Sequence, residues 1–188
     1  VFWDTPLIPA ARVGRGLAIS PDGAMIVFID STAAGWQLPA KERDRVDPTV
    51  VAGTADVAGA PSFSPDGAWI AFVTRDGKVK KMPRGGGAPT VIADSAMVEY
   101  PATAWLDGGT ILYVDAGFGL RAVAQDGGTR RQVLTAPAAS DTTRERILGV
   151  AGLPGGQAAL LTVCTWRCSK VDLRAIDLRT FKVTRLAR

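Results

Sequence analysis

A four-residue turn, Ser-Pro-Asp-Gly, occurs twice in this chain, each time between two short apolar runs. Ser20-Pro21-Asp22-Gly23 leads into Met25-Ile26-Val27-Phe28, and Ser64-Pro65-Asp66-Gly67 leads into Trp69-Ile70-Ala71-Phe72, about 44 residues later. In such a turn Pro presets φ, Asp bonds a backbone N–H from its own side chain, and Gly takes the left-handed position that closes a hairpin. Two degenerate copies follow, Trp105-Leu106-Asp107-Gly108-Gly109 and Leu153-Pro154-Gly155-Gly156, each again ahead of an apolar run. Asp22, Gly23, Asp66, Gly67, Asp107 and Gly108 are therefore expected to build turns rather than perform chemistry.

A fixed period of 40 to 48 residues limits the fold more than any other feature. The opening strands are expected at Leu17–Ile19, Pro61–Phe63, Ala102–Trp105 and Leu148–Gly152. Beyond each turn comes an apolar strand and then a second hairpin with alternating polar and apolar residues, as in Lys78-Val79-Lys80-Lys81-Met82 before Arg84-Gly85-Gly86-Gly87. Alternation marks half-exposed strands, and continuous apolar runs mark strands buried on both faces. Four antiparallel strands per repeat make a propeller blade. The expected fold is all-β, a β-propeller of about four blades with four antiparallel strands each, as a closed four-bladed or a partial ring. A β-sandwich is the competing architecture. The expected limits are one domain over 1–188, with blades near 11–55, 56–96, 97–140 and 141–188, and with 1–10 as a ring-closing outer strand.

Composition removes several chemistries. The 188 residues include no His and two Cys. Without an imidazole there is no Ser-His-Asp or Cys-His machinery and no His-ligated zinc, and two thiols cannot make a four-thiolate site. No acidic pair recurs outside the turns, so no catalytic residue, cofactor or metal ligand is assigned. The net charge of +4 announces no nucleic-acid partner, and no aromatics interleave with the basic residues as base stacking would need. No apolar run reaches the roughly 18–20 residues of a membrane helix.

The two Ser-Pro-Asp-Gly repeats, with Leu17-Ala18-Ile19 and Pro61-Ser62-Phe63 ahead of them, resemble the TolB-type, WD-repeat-like propeller repeat. The string Gly77-Lys78-Val79-Lys80-Lys81-Met82-Pro83-Arg84-Gly85-Gly86-Gly87 is similar to the propeller found C-terminal to bacterial serine/threonine protein kinases, where it lies beyond a membrane helix. None of the kinase's own motifs is present. The resemblance implies a non-catalytic interaction or scaffold propeller. Its setting would be an accessory subunit bracing a membrane-associated assembly, or the sensor domain of a receptor-like kinase. The alternative is the propeller of a hydrolase or peptidase whose catalytic part is elsewhere. The implied partners are proteins, a membrane complex or a second copy of the chain, and the implied location is extracytoplasmic and periplasmic.

Cys164 and Cys168, four residues apart across an expected hairpin, are read as a disulfide pair, against two free thiols. Trp166 with Arg167, Trp36, and the basic stripe Lys78, Lys80 and Lys81 are the partner-contact candidates. Packing and a solvated outer strand are their plainer readings. The charged run Lys41–Asp47 is expected to be an exposed loop or a long outer hairpin.

Overall fold

The computed structural model describes residues 16–32, 35–99, 102–135, 145–165 and 170–187. Every regular element among them is a β-strand. Blade 1 opens with β1 (Leu17–Ile19) and β2 (Met25–Phe28), followed by a small hairpin of β3 (Asp30–Thr32) and β4 (Gly35–Gln37). It closes with β5 (Pro39–Glu42) and β6 (Thr49–Val50). Blade 2 holds β7 (Ser62–Phe63), β8 (Trp69–Val73), β9 (Val79–Pro83) and β10 (Thr90–Ala93). Blade 3 holds β11 (Thr103–Trp105), β12 (Thr110–Val114), β13 (Leu120–Ala124) and β14 (Arg131–Leu134). Blade 4 holds β15 (Glu145–Gly152), β16 (Ala158–Thr165), β17 (Lys170–Asp177) and β18 (Val183–Ala187). Each blade is a four-stranded antiparallel sheet whose strands lie in chain order, apart from the β3–β4 insertion in blade 1. This is the four-blade propeller arrangement expected from the repeats.

The period-2 geometry of a strand explains how the blades adhere. On β8, Ile70 and Phe72 join a buried cluster with Val27, Ile29 and Leu38 of blade 1. The intervening Ala71 and Val73 join Trp105, Ile111 and Tyr113 of blade 3. On β12, Leu112 and Val114 face Ile147, Leu161 and Val163 of blade 4. One strand thus supplies two junctions by alternation, which is why β8 and β12 have no polar face. Among the described residues, three buried clusters join blades 1–2, 2–3 and 3–4, and none draws on both blade 4 and blade 1.

One expectation is corrected. The opening strands are not uniformly buried. Leu17 and Ile19 on β1 are 48% and 56% exposed, while β7 and β11 each carry a buried aromatic, Phe63 and Trp105. Leu17 and Ile19 share a sheet face with Phe28 and Ile26, their register partners, and that face turns away from blade 2. The charged run falls in the outer hairpin of blade 1, as expected, with 43–48 exposed between the paired strands β5 and β6. Lys41 and Glu42 belong to β5, and Lys41 is buried, with its ammonium donating to the carbonyls of Glu42 and Arg45. The extra length of the first repeat lies earlier, in the β3–β4 hairpin. The ring-closing strand expected in 1–10 lies outside the described residues.

Candidate functional site: the axial funnel

The opening strands β1, β7, β11 and β15 are neighbours in space and converge on one axis. Convergence requires small residues. A Cβ on Gly16 would sit 2.5 Å from the Ala60 Cβ, and Ala60 forms a parallel bridge with Ala102. The Ser62 and Thr103 hydroxyls, on adjacent opening strands, are 2.9 Å apart. A Cβ on Gly152 would stand 2.7 Å from the Leu106 Cδ2.

Each opening strand ends in its turn, and the turns ring one mouth. In blade 1 the Ser20 hydroxyl donates to Asp22 Oδ1 at 2.5 Å, and the Met25 and Ala24 amides donate to Ser20 Oγ and Asp22 Oδ1 at 2.9 Å each. Blade 2 repeats the arrangement with Ser64, Asp66, Ala68 and Trp69 at 2.5–3.0 Å. Gly23 and Gly67 take φ of +65° and +70°, the left-handed values that the motif requires. The Ser20 hydroxyl and then the Arg84 guanidinium hold the Asp22 carboxyl well below the usual carboxylate range, and the Ser64 hydroxyl does the same for Asp66. Both acids stay ionised as turn-builders and hold no proton to give at neutral pH.

Asp107 departs from this pattern. Its Oδ2 accepts the Gly155 amide of the next blade's turn at 2.7 Å. Gly156 follows so closely that a Cβ there would meet the Asp107 carbonyl oxygen at 2.7 Å. Asp22 reaches across too, accepting from Arg84 of blade 2 at 2.8 Å. The turns at this end are therefore linked to the next blade as well as closed on themselves.

Between them lies a funnel of about 330 Å³. Ile19 and Pro21 line it from blade 1, Phe63, Ser64 and Pro65 from blade 2, Trp105, Leu106 and Asp107 from blade 3, and Gly152, Leu153 and Pro154 from blade 4. Among the described residues Asp107 is the one ionisable group in that lining, and its carboxylate is engaged by a backbone amide. No group of three or more His, Cys, Asp or Glu able to hold a metal occurs among the described residues. The funnel is a proline-rimmed surface that mixes apolar side chains with exposed polar backbone and side-chain atoms. Its lining could not be read from the repeats alone, because the opening strands look interchangeable until the turns are placed around one axis.

The sequence-chosen contact residues are placed elsewhere. Lys81 pairs with Asp126 of blade 3 at 2.8 Å and lies 4.9 Å above the Trp69 ring. Lys78 pairs with Asp76 at 2.6 Å. Lys78 and then the Thr74 hydroxyl lower the Asp76 carboxyl to about 2, and Lys80 adds to the field. The stripe is thus interleaved with acids, and part of it ties blade 2 to blade 3. Trp36 sits on β4, half-buried against the core of blades 1 and 2. Cys164 is fully buried on β16 and is not a free thiol, whereas Trp166, Arg167 and Cys168 lie outside the described residues.

Four sheets of four strands around an axis, with the opening turns meeting at one mouth, define the class as a β-propeller. The fold is that of the TolB propellers. A protein described as TolB from Agrobacterium tumefaciens superposes with a TM-score of 0.73 at 16% identity, over 97% of this chain and 64% of that one. TolB from Acinetobacter baumannii gives 0.75 at 14% identity, over 96% of this chain and 45% of that one. An oligogalacturonate lyase in complex with manganese gives 0.60 at 15% identity, over 91% and 52%. The chain therefore spans less than two thirds of each of these proteins. No family model and no curated protein sequence matches it.

Proposed function

We propose that the chain is a non-catalytic, protein-binding propeller that docks its partner at the funnel mouth. The observation behind this reading is the lining itself. It combines exposed apolar side chains, Ile19 at 56% exposure foremost, with proline rings and backbone polar groups, and Asp107 is the only ionisable group in it among the described residues. Rigid walls presenting apolar anchors beside a polar rim suit protein recognition, because little conformational entropy is lost on binding. Acid–base or metal-assisted chemistry would need two converging ionisable groups there.

The setting we propose is extracytoplasmic, as an accessory or sensor propeller of a membrane-associated assembly. The resemblance of the Lys78–Gly87 region to kinase-associated propellers supports it, as does the disulfide proposed for Cys164 with Cys168. Among the described residues no helix is long and apolar enough to cross a membrane, so attachment would come through a partner or a further segment. A photo-crosslinking residue at Leu153, compared with one at the exposed Val91 on β10, tests the docking site. Discrete protein adducts are expected from Leu153 alone. Identical adducts from both positions, or none from Leu153, would overturn the assignment.

A further inference from the structure

A second concavity, sharing no lining residue with the funnel, runs along the outer hairpin of blade 3. It is an open groove of about 630 Å³. Thr110, Ala122, Ala124 and Thr129 give it small side chains, and Arg130 and Arg131 give it charge. The hairpin itself makes the groove. The ladder between β13 and β14 ends at Ala122 and Arg131, and the turn closes with the Gly127 amide donating to the Ala124 carbonyl at 2.9 Å. Between those points the two arms carry no ladder pair, and the groove lies there.

The two guanidinium groups differ. Arg130 is matched by Asp94 of blade 2. Arg131 is exposed, forms no ion pair among the described residues, and lies 5.2 Å over the Phe181 ring of blade 4. Lys182, beside that ring in sequence, is exposed and forms no ion pair among the described residues either. The neighbouring acids are already engaged. Asp126 pairs with Lys81, Asp172 pairs with Arg185, and Asp177 spends its Oδ1 on the Arg179 and Thr180 amides at 2.8 and 2.9 Å. Arg131, Arg179 and Lys182 therefore leave a positive excess at this edge.

Phe181 adds an independent sign. It takes φ of +58°, a value that a bulky side chain adopts only under constraint. The outer turns of blades 2 and 3 meet the same demand with glycine, Gly86 and Gly127 at φ of +92° and +83°. The turn thus has no need of an aromatic residue, and this one is 40% exposed. What the ring does is stand against Arg131 and hold the guanidinium at the groove.

We propose that this groove binds an extended acidic segment of a protein partner, with a carboxylate on the Arg131 guanidinium and the chain lying over the small side chains. A planar guanidinium fork matches a carboxylate with two parallel hydrogen bonds. Alanine and threonine leave room for a backbone to approach. A membrane surface would instead be met by protruding apolar side chains, whereas Arg131 lines a concavity. The proposal does not rest on the docking role of the funnel.

The probe is acetyl-Glu-Ala-Glu-Ala-Glu-amide, and its glutamine counterpart is the uncharged control. Titration of the whole chain, followed through the amide resonances of Ala124, Thr129 and Arg131, is expected to show saturable one-to-one binding of the acidic peptide. The control should bind about tenfold more weakly, the worth of a hydrogen bond to a charged group. Raising the ionic strength from about 0.05 M to about 0.5 M should narrow that difference. Arg131→Gln should bring the acidic peptide down to the control's affinity, with circular dichroism reporting that the fold persists. Phe181→Gly should weaken the acidic peptide about threefold without lowering the urea midpoint, because glycine suits the φ of that turn. No saturable binding to the folded wild type, equal affinity for the two peptides, or unchanged affinity in Arg131→Gln would each overturn the site. Binding to phosphatidylglycerol vesicles in place of the peptide would overturn it in favour of a lipid surface. A lower urea midpoint in Phe181→Gly with peptide affinity intact would overturn the role of the ring.

Discussion

Truncating Phe72 to Ala should destabilise the molecule through a single junction, and the cost follows from where the ring lies. Phe72 is fully buried and packs with Ile70, Met82 and the blade 1 residues Val27, Ile29 and Leu38. Burying a Phe side chain is worth about 1.5–3 kcal/mol in transfer alone, and the cavity left by an unrelaxed core raises a Phe→Ala loss to about 3–5 kcal/mol. Leu161→Ala empties part of the blade 3–4 junction, whose cluster shares no member with the first, at about 2–5 kcal/mol. Because a blade touches only its neighbours, the two losses should add to within about 0.5 kcal/mol in the double variant. Urea unfolding followed by far-ultraviolet circular dichroism measures all three. A Phe72→Ala loss under about 1.5 kcal/mol would refute the packing argument. A coupling energy above about 1 kcal/mol would refute the independence of the junctions.

Gly23→Ala should cost about 1–2 kcal/mol from backbone conformation alone, since φ is +65° and a Cβ there meets nothing within 4 Å; a neutral substitution would mean that the turn does not need the left-handed residue. Arg84→Ala should raise the Asp22 carboxyl pKa, as read by nuclear magnetic resonance titration, yet leave it below the ordinary value because the Ser20 and Ala24 donors remain. Asp22, Asp66 and Asp76 all titrate lower when folded, so their stabilisation is complete above the unfolded value of about 4 and disappears as pH falls through their folded values. The urea midpoint should therefore decline below about pH 4, and a midpoint independent of pH between 5 and 2 would contradict the turn assignment. The disulfide proposed between Cys164 and Cys168 predicts a rise of about 2 Da in intact mass on reduction, one hydrogen per sulfur, and an unchanged mass would remove it.

The fold was legible because the repeat is carried by residues with fixed backbone demands. Pro21, Asp22 and Gly23 recur as Pro65, Asp66 and Gly67, and the structure builds both turns with the same bonds. Alternation on β8 and β12 was legible only as continuous hydrophobicity. That Ile70 and Phe72 face one blade while Ala71 and Val73 face another needs the neighbours in place. The candidate sites were less readable for a related reason. Lys78 and Lys81 form a basic stripe in one dimension, but Asp126, which neutralises Lys81, lies 45 residues away on the next blade. The contact between Arg131 and Phe181 left no local signal, since the two are brought together only by the packing of two sheets.

The degenerate third and fourth turns acquire a physical meaning from the same geometry. In blades 1 and 2 a Ser closes the turn on its own Asp, so the carboxylate is mostly spent within its blade. Blade 3 has Leu106 and blade 4 has Leu153 where that Ser stood, and both leucines line the funnel. Asp107 directly follows Leu106, at the position where Pro21 and Pro65 stand in the first two turns, and from that position its carboxylate accepts the Gly155 amide of the following turn. Gly155 and Gly156, at φ of +87° and +65°, bring that backbone close enough to be reached. Losing the consensus on this side exchanges a polar closure within each blade for apolar surface at the mouth and a bond between blades. Exposed apolar surface reaches the mouth from both sides, Ile19 and Pro21 from blade 1 and Leu153 and Pro154 from blade 4. A partner inserting an apolar side chain would meet Leu153 at the mouth, so Leu153→Ser, which restores the consensus residue and puts a hydroxyl there, should weaken docking more than Pro65→Ala does.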